Sequence, residues 1–162
     1  MATVIKLNKQ VEHVILESGD DELDIEIRTD DASIERMIKM VGNALDRFAS
    51  IQHEIDEAAE TGDPEAVGKA TDAMVRLERR VIVAIAGEGA YEGILSLMSD
   101  DGDAVDPAEN IANVGEVLAG LVTWLYDHCT SKQLREAGVY AERQSRNMPK
   151  KRRKGGKHKG KR

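Results

Sequence analysis

The stretch Asp63 to Met98 sets the tightest limit on what this chain can fold into. Asp63 can accept hydrogen bonds from the first free amides of a helix and Pro64 suits its first position, so a helix start is marked there. Val67, Ala70, Met74, Leu77, Val81 and Ile85 then recur at three- and four-residue steps, which places them on one face. From Val81 to Ala86 the run is apolar nearly all round, the pattern of a segment covered on several sides. The spacing predicts a central helix on which the others pack, ending at Gly87-Glu88-Gly89.

At 162 residues the chain has the length of one domain. Only 3% of it is aromatic, with a single Phe48 and a single Trp124, so its core must come from Ile, Leu, Val, Met and Ala. The lone Cys129 excludes an intrachain disulfide and suits a reducing compartment. With no apolar run of membrane-spanning length and no signal-like N-terminus, the expectation is a soluble cytoplasmic protein without membrane contact. The net charge of -7 conceals a division. Lys150 to Arg162 holds nine of the 23 Lys and Arg and no acid, leaving 14 bases against 30 acids, or -16, on the remainder.

At the N-terminus, Val4 to Leu7 and Val11 to Leu16 are rich in β-branched residues, and Ser18-Gly19-Asp20-Asp21 signals a turn. Leu23, Ile25 and Ile27 then alternate with Asp24, Glu26 and Arg28, as in a strand covered on one side. A hairpin or three-strand meander is expected, lying on helices or adding strands from another copy through its edge. Thr29, Asp30, Asp31 and Ser33 suit the start of a long helix with the stripe Ile34, Ile38, Val41, Leu45, Phe48, Ile51 and Ile55. It should run to about Glu60 and pair with the central helix through Thr61-Gly62-Asp63-Pro64.

Beyond the glycine break, Tyr91, Ile94, Leu95 and Met98 suggest a short helix, and Asp106-Pro107 opens a second core helix on Ile111, Val114, Leu118, Leu121, Val122 and Leu125. Gly115 and Gly120 weaken that helix and suit a close approach to a neighbour. A last helix through Leu134, Val139 and Tyr140 is thinly striped. The fold class is therefore α+β and mainly α: a small β-hairpin or meander, four to five bundled helices and a basic tail. Residues 1–146 form one domain, with the β element in 1–29 and the helices in 30–146, and 147–162 are expected to be disordered.

Chemistry is sparsely signalled. His13, His53, His128 and His158 form no metal-binding or catalytic spacing, and adjacent residues such as His128 and Cys129 point about 100° apart on a helix. The acidic run Ser99 to Asp103 lacks the glycine and glutamate spacing of a calcium loop, and Gly87-Glu88-Gly89 is no phosphate loop. No catalytic residue, cofactor or metal is expected. Lys150, Lys151, Arg152, Arg153, Lys154, Lys157, Lys159, Lys161 and Arg162 can neutralise phosphates without reading sequence, so nucleic acid is a partner only through the tail. A solubilising or translation-related extension is the other reading of the same residues. Met37, Met40 and Met74 lie on or beside helical stripes, where methionine either fills a core or lines an adaptable groove.

The order of parts resembles the tail assembly chaperones of long-tailed bacteriophages, particularly those of Gram-positive hosts. The resemblance covers about residues 4 to 130. It rests on Lys6-Leu7-Asn8-Lys9-Gln10-Val11 in the β segment, Asp31-Ala32-Ser33-Ile34-Glu35 at the first helix, and the break Gly87-Glu88-Gly89-Ala90-Tyr91 before an acidic loop and a further helix. It implies a non-enzymatic protein of the infected cell's cytoplasm that coats the helical tape measure protein and keeps it soluble until the tail tube protein polymerises around it. It also implies the shorter product of a frameshifting gene pair, with Lys150-Lys151 and Gly156-Lys157 as places that slippery codons can encode. That family does not require so basic a tail. Met37, Met40, Phe48, Met74, Tyr91 and Trp124 are the candidate partner-binding residues on this reading. Two other classes remain open: a nucleic-acid-associated structural or scaffold-like phage protein acting through the tail, and a small metal-dependent enzyme using its many acids.

Overall fold

The computed structural model of the protein describes residues 10–100 and 105–129. It is mainly helical, with an N-terminal hairpin ahead of four α-helices. Strand β1 (Val11–Ser18) pairs antiparallel with β2 (Asp21–Arg28) through the two-residue loop Gly19-Asp20. Gly19 has φ +61, the positive value that a tight hairpin loop needs at its first position. In this register Leu16, Val14 and Glu12 lie opposite Leu23, Ile25 and Ile27, so all six share the face turned to the helices. Ile25 and Ile27 are buried, whereas Ile15 on the other face is exposed. The hairpin rests on helices, mainly through β2, the first of the two arrangements expected for it.

Helix α1 (Asp31–Thr61) begins where the Asp30 carboxylate accepts from the Ser33 amide at 3.2 Å and from the Ser33 hydroxyl at 2.7 Å. Its end is set by Gly62, whose φ of +68 turns the chain while its amide donates to the Ala58 and Ala59 carbonyls. Asp63 immediately caps α2 (Pro64–Ala86), accepting from Glu65 and Ala66. The two helices form the expected antiparallel pair across this corner.

Helix α2 is the central element: α1, α3 (Ala90–Met98), α4 (Ile111–Asp127), β2 and the 3-10 turn Pro107–Asn110 all pack against it. Its apolar run supplies Val81, Ile82, Ile85 and Ala86 to a core completed by Ile34, Met37, Ile38 and Val41 of α1 and Val114, Leu118, Leu121 and Leu125 of α4. Gly87 (φ +88) ends α2 and Gly89 (φ +84) precedes α3, which turns from α2 by 114°. A side chain at either glycine would be strained. The Arg79 guanidinium donates to Glu92 at 2.8 Å and sits 5.8 Å from the Tyr91 ring centroid, tying α3 to α2.

Two glycine expectations divide. A Cβ at Gly115 would stand 3.4 Å from the Glu78 carboxylate, a close approach, whereas Gly120 faces open space. The close contact not foreseen is at Gly93 of α3, where a Cβ would meet Leu23 of β2 at 3.0 Å. The proposed strand at Val4 to Leu7, the helix through Leu134 and the basic tail lie outside the described residues.

Candidate functional site

Helix α1 is longer than its neighbours can cover, and part of its apolar stripe is left bare. Leu45, expected inside with the rest of that stripe, is 49% exposed. It forms one wall of a groove of about 640 Å³ with Val41, Ala44, Phe48, Ala49 and Gln52. The facing wall is α4, from Ile111 through Gly115 and Ala119 to Thr123, and the floor is α2, with Met74, Glu78 and Val81. Each wall spans about three helical turns, roughly 16–18 Å at 1.5 Å per residue.

Glu78 is the exception in this apolar lining. It falls on the buried face of α2, four residues after Met74 and three before Val81, and is only 2% exposed. Its carboxylate has no hydrogen-bond or ion-pair partner among the described residues, and burial pushes its pKa up to about 7. Among the described residues no fully occluded side-chain oxygen lacks a partner, so the Glu78 oxygens are reached from the groove rather than sealed beneath it. Gly115 makes room for them. Gln52 and Thr123 are the other polar lining residues, and the Thr123 hydroxyl donates to the Ala119 carbonyl. The groove thus presents an apolar surface with one ionisable group in its floor.

The candidate partner-binding residues separate in space. Phe48 and Met74 line this groove. Met37 is buried, and with the half-buried Met40 it borders a second hollow of about 430 Å³ beside Arg28, Arg36 and the end of α2. There Arg28 lies 3.6 Å from Asp30 and Arg36 donates to Ser33. Tyr91 is a core residue, its hydroxyl pKa raised first by burial and next by the negative charge of Glu78. Trp124 is half-buried and stacks on His128, with ring centroids 4.3 Å apart. The tail lysines and arginines lie outside the described residues.

Sequence reasoning missed Glu78, although a carboxylate at a stripe position of an otherwise apolar face was a usable signal. The His128-Cys129 pair is oriented for structure: the thiol donates to the Leu125 carbonyl at 3.1 Å, and burial raises its pKa, the opposite of an activated nucleophile. No cluster of three or more His, Cys, Asp or Glu among the described residues is placed to hold a metal. No single helix among them is long and apolar enough to cross a membrane. Comparison of the chain with protein-family models, with curated proteins and with solved structures gives no match.

Proposed function

We propose that the protein is a non-enzymatic chaperone that holds amphipathic helices in the groove between α1 and α4, and that its client is a phage tape measure protein awaiting assembly of the tail tube. The observation carrying this reading is the groove itself: open, walled by aliphatic side chains and about three turns long, the dimensions of a helix-in-groove site. The acidic body supports it, because like-charged copies repel one another and limit aggregation of a loaded client. The resemblance in the order of parts names the client. Two alternatives use other parts of the chain: self-association through the hairpin edge, and nucleic-acid binding through Lys150 to Arg162, which deletion of that tail would abolish.

Co-expression decides the matter. A tape measure protein from the same genome should remain soluble with this chain and aggregate without it. The paired change Leu45→Asp and Ala119→Asp, at two exposed wall positions, should abolish the effect while the helical circular dichroism is retained. A tape measure protein equally soluble without the chain would overturn the proposal.

A further inference from the structure

The carboxylate in the groove floor restricts which helix can bind. A guest helix laid over the groove removes the remaining water from Glu78, whose oxygens have no partner among the described residues. If the guest's buried face is wholly apolar, Glu78 must either take up a proton or remain as an unpaired buried charge, and both reduce affinity. A guest carrying a lysine or arginine on that face supplies the missing partner, and its long alkyl stem still packs on the walls.

We propose that the groove selects amphipathic helices bearing a single basic residue within the apolar face, seated against Glu78. The inference rests on the helix-holding reading above and names the chemistry of the guest. Charge complementarity supports it from two directions. Glu78 is the sole ionisable group among the groove-lining residues, the α1 and α4 walls contributing none. Of the nearby groups, Tyr91 on α3 is un-ionised at neutral pH, and Arg79 on α2 is already paired with Glu92 of α3. Gly115 stands beside the Glu78 Oε2, and a Cβ there would come within 3.4 Å of it. Burial raises the Glu78 carboxyl pKa, and a cation seated beside it would lower it again.

The test uses the full chain and two fluorescent helical peptides of the same amphipathic sequence. One has lysine at the centre of the apolar face and the other has Nε-acetyl-lysine there, which keeps the alkyl stem and removes the charge. Anisotropy titrations should show the lysine peptide binding at least about tenfold more tightly, with the ratio falling to near one in Glu78→Gln. Circular dichroism of that variant confirms that it folds. Binding of both peptides with the same ratio in both proteins would overturn the cation pairing and leave the helix-holding reading standing. If neither peptide binds, whether because a second copy or another part of the chain fills the groove, both proposals fall.

Discussion

The His128 Nε2 at the end of α4 lies 2.8 Å from the Glu12 Oε2 on β1, joining the two described elements furthest apart in sequence. The contact exists because Glu12 is opposite Ile27 in the hairpin register and so projects toward the helices. The other ring nitrogen lies 2.8 Å from the Trp124 carbonyl oxygen. Both partners are acceptors, so both nitrogens donate only in the imidazolium form. The Trp124 carbonyl, with Glu12 after it, therefore raises the histidine pKa.

The sign of the resulting pH dependence follows from that raised value. The stabilisation is fully present below the unfolded value near 6.5 and disappears as pH rises through the folded pKa. His128→Gln should lower the melting temperature more at pH 5.5 than at pH 9, and Glu12→Gln should lower the histidine pKa read by NMR. Both groups are substantially exposed, so the effect should stay under about 1 kcal/mol.

Glu78 behaves in the opposite sense. With its pKa raised from 4.5 to about 7, it costs nothing below pH 4.5, and the cost accumulates up to about pH 7 and is complete above it. Glu78→Gln should therefore stabilise the free protein at pH 8, by at most on the order of 3 kcal/mol, and be near neutral at pH 4. Urea melts at the two pH values measure it. A stabilising change that impairs binding of a basic guest would identify Glu78 as a residue retained for recognition rather than for folding.

Ile82 is completely buried near the C-terminal end of α2. Ile82→Ala should cost roughly 2–5 kcal/mol through lost burial and the cavity left behind. The urea midpoint should fall without a change in slope, because the surface exposed on unfolding is nearly the same.

The α1–α2 corner depends on local backbone chemistry. Gly62→Ala forces a side chain into φ +68 and should cost about 1 kcal/mol. Asp63→Ala removes the acceptor for the Glu65 and Ala66 amides and should cost a similar ~1 kcal/mol. Thermal melts of the two variants provide the check.

These positions also mark what was legible in the sequence. Caps and turns are short-range chemistry, so Asp30, Gly62, Asp63 and Gly87 announce the helix ends, and the alternation of Leu23, Ile25 and Ile27 announces the covered strand face. Exposure along a long stripe is not local. Leu45 and Ile51 belong to the same periodic face, yet Ile51 is buried and Leu45 bare, because coverage depends on where α2 and α4 pack along α1. The groove is a consequence of that placement and could not be read from periodicity. Glu78 was visible as a misfit, but its significance came from finding it unpaired beneath two walls. Met37 and Tyr91 show the converse: residue types suited to recognition are buried in the core.

The order of the groove's three surfaces along the chain imposes a schedule on synthesis. Wall and floor come from α1 and α2, a hairpin of neighbours that can associate as soon as both have emerged, but the opposite wall is α4, which is made last of the described elements. A nascent chain ending before Ile111 lacks that second wall. On the proposed helix-holding reading, a growing chain therefore gains its clasp only once α4 has been made.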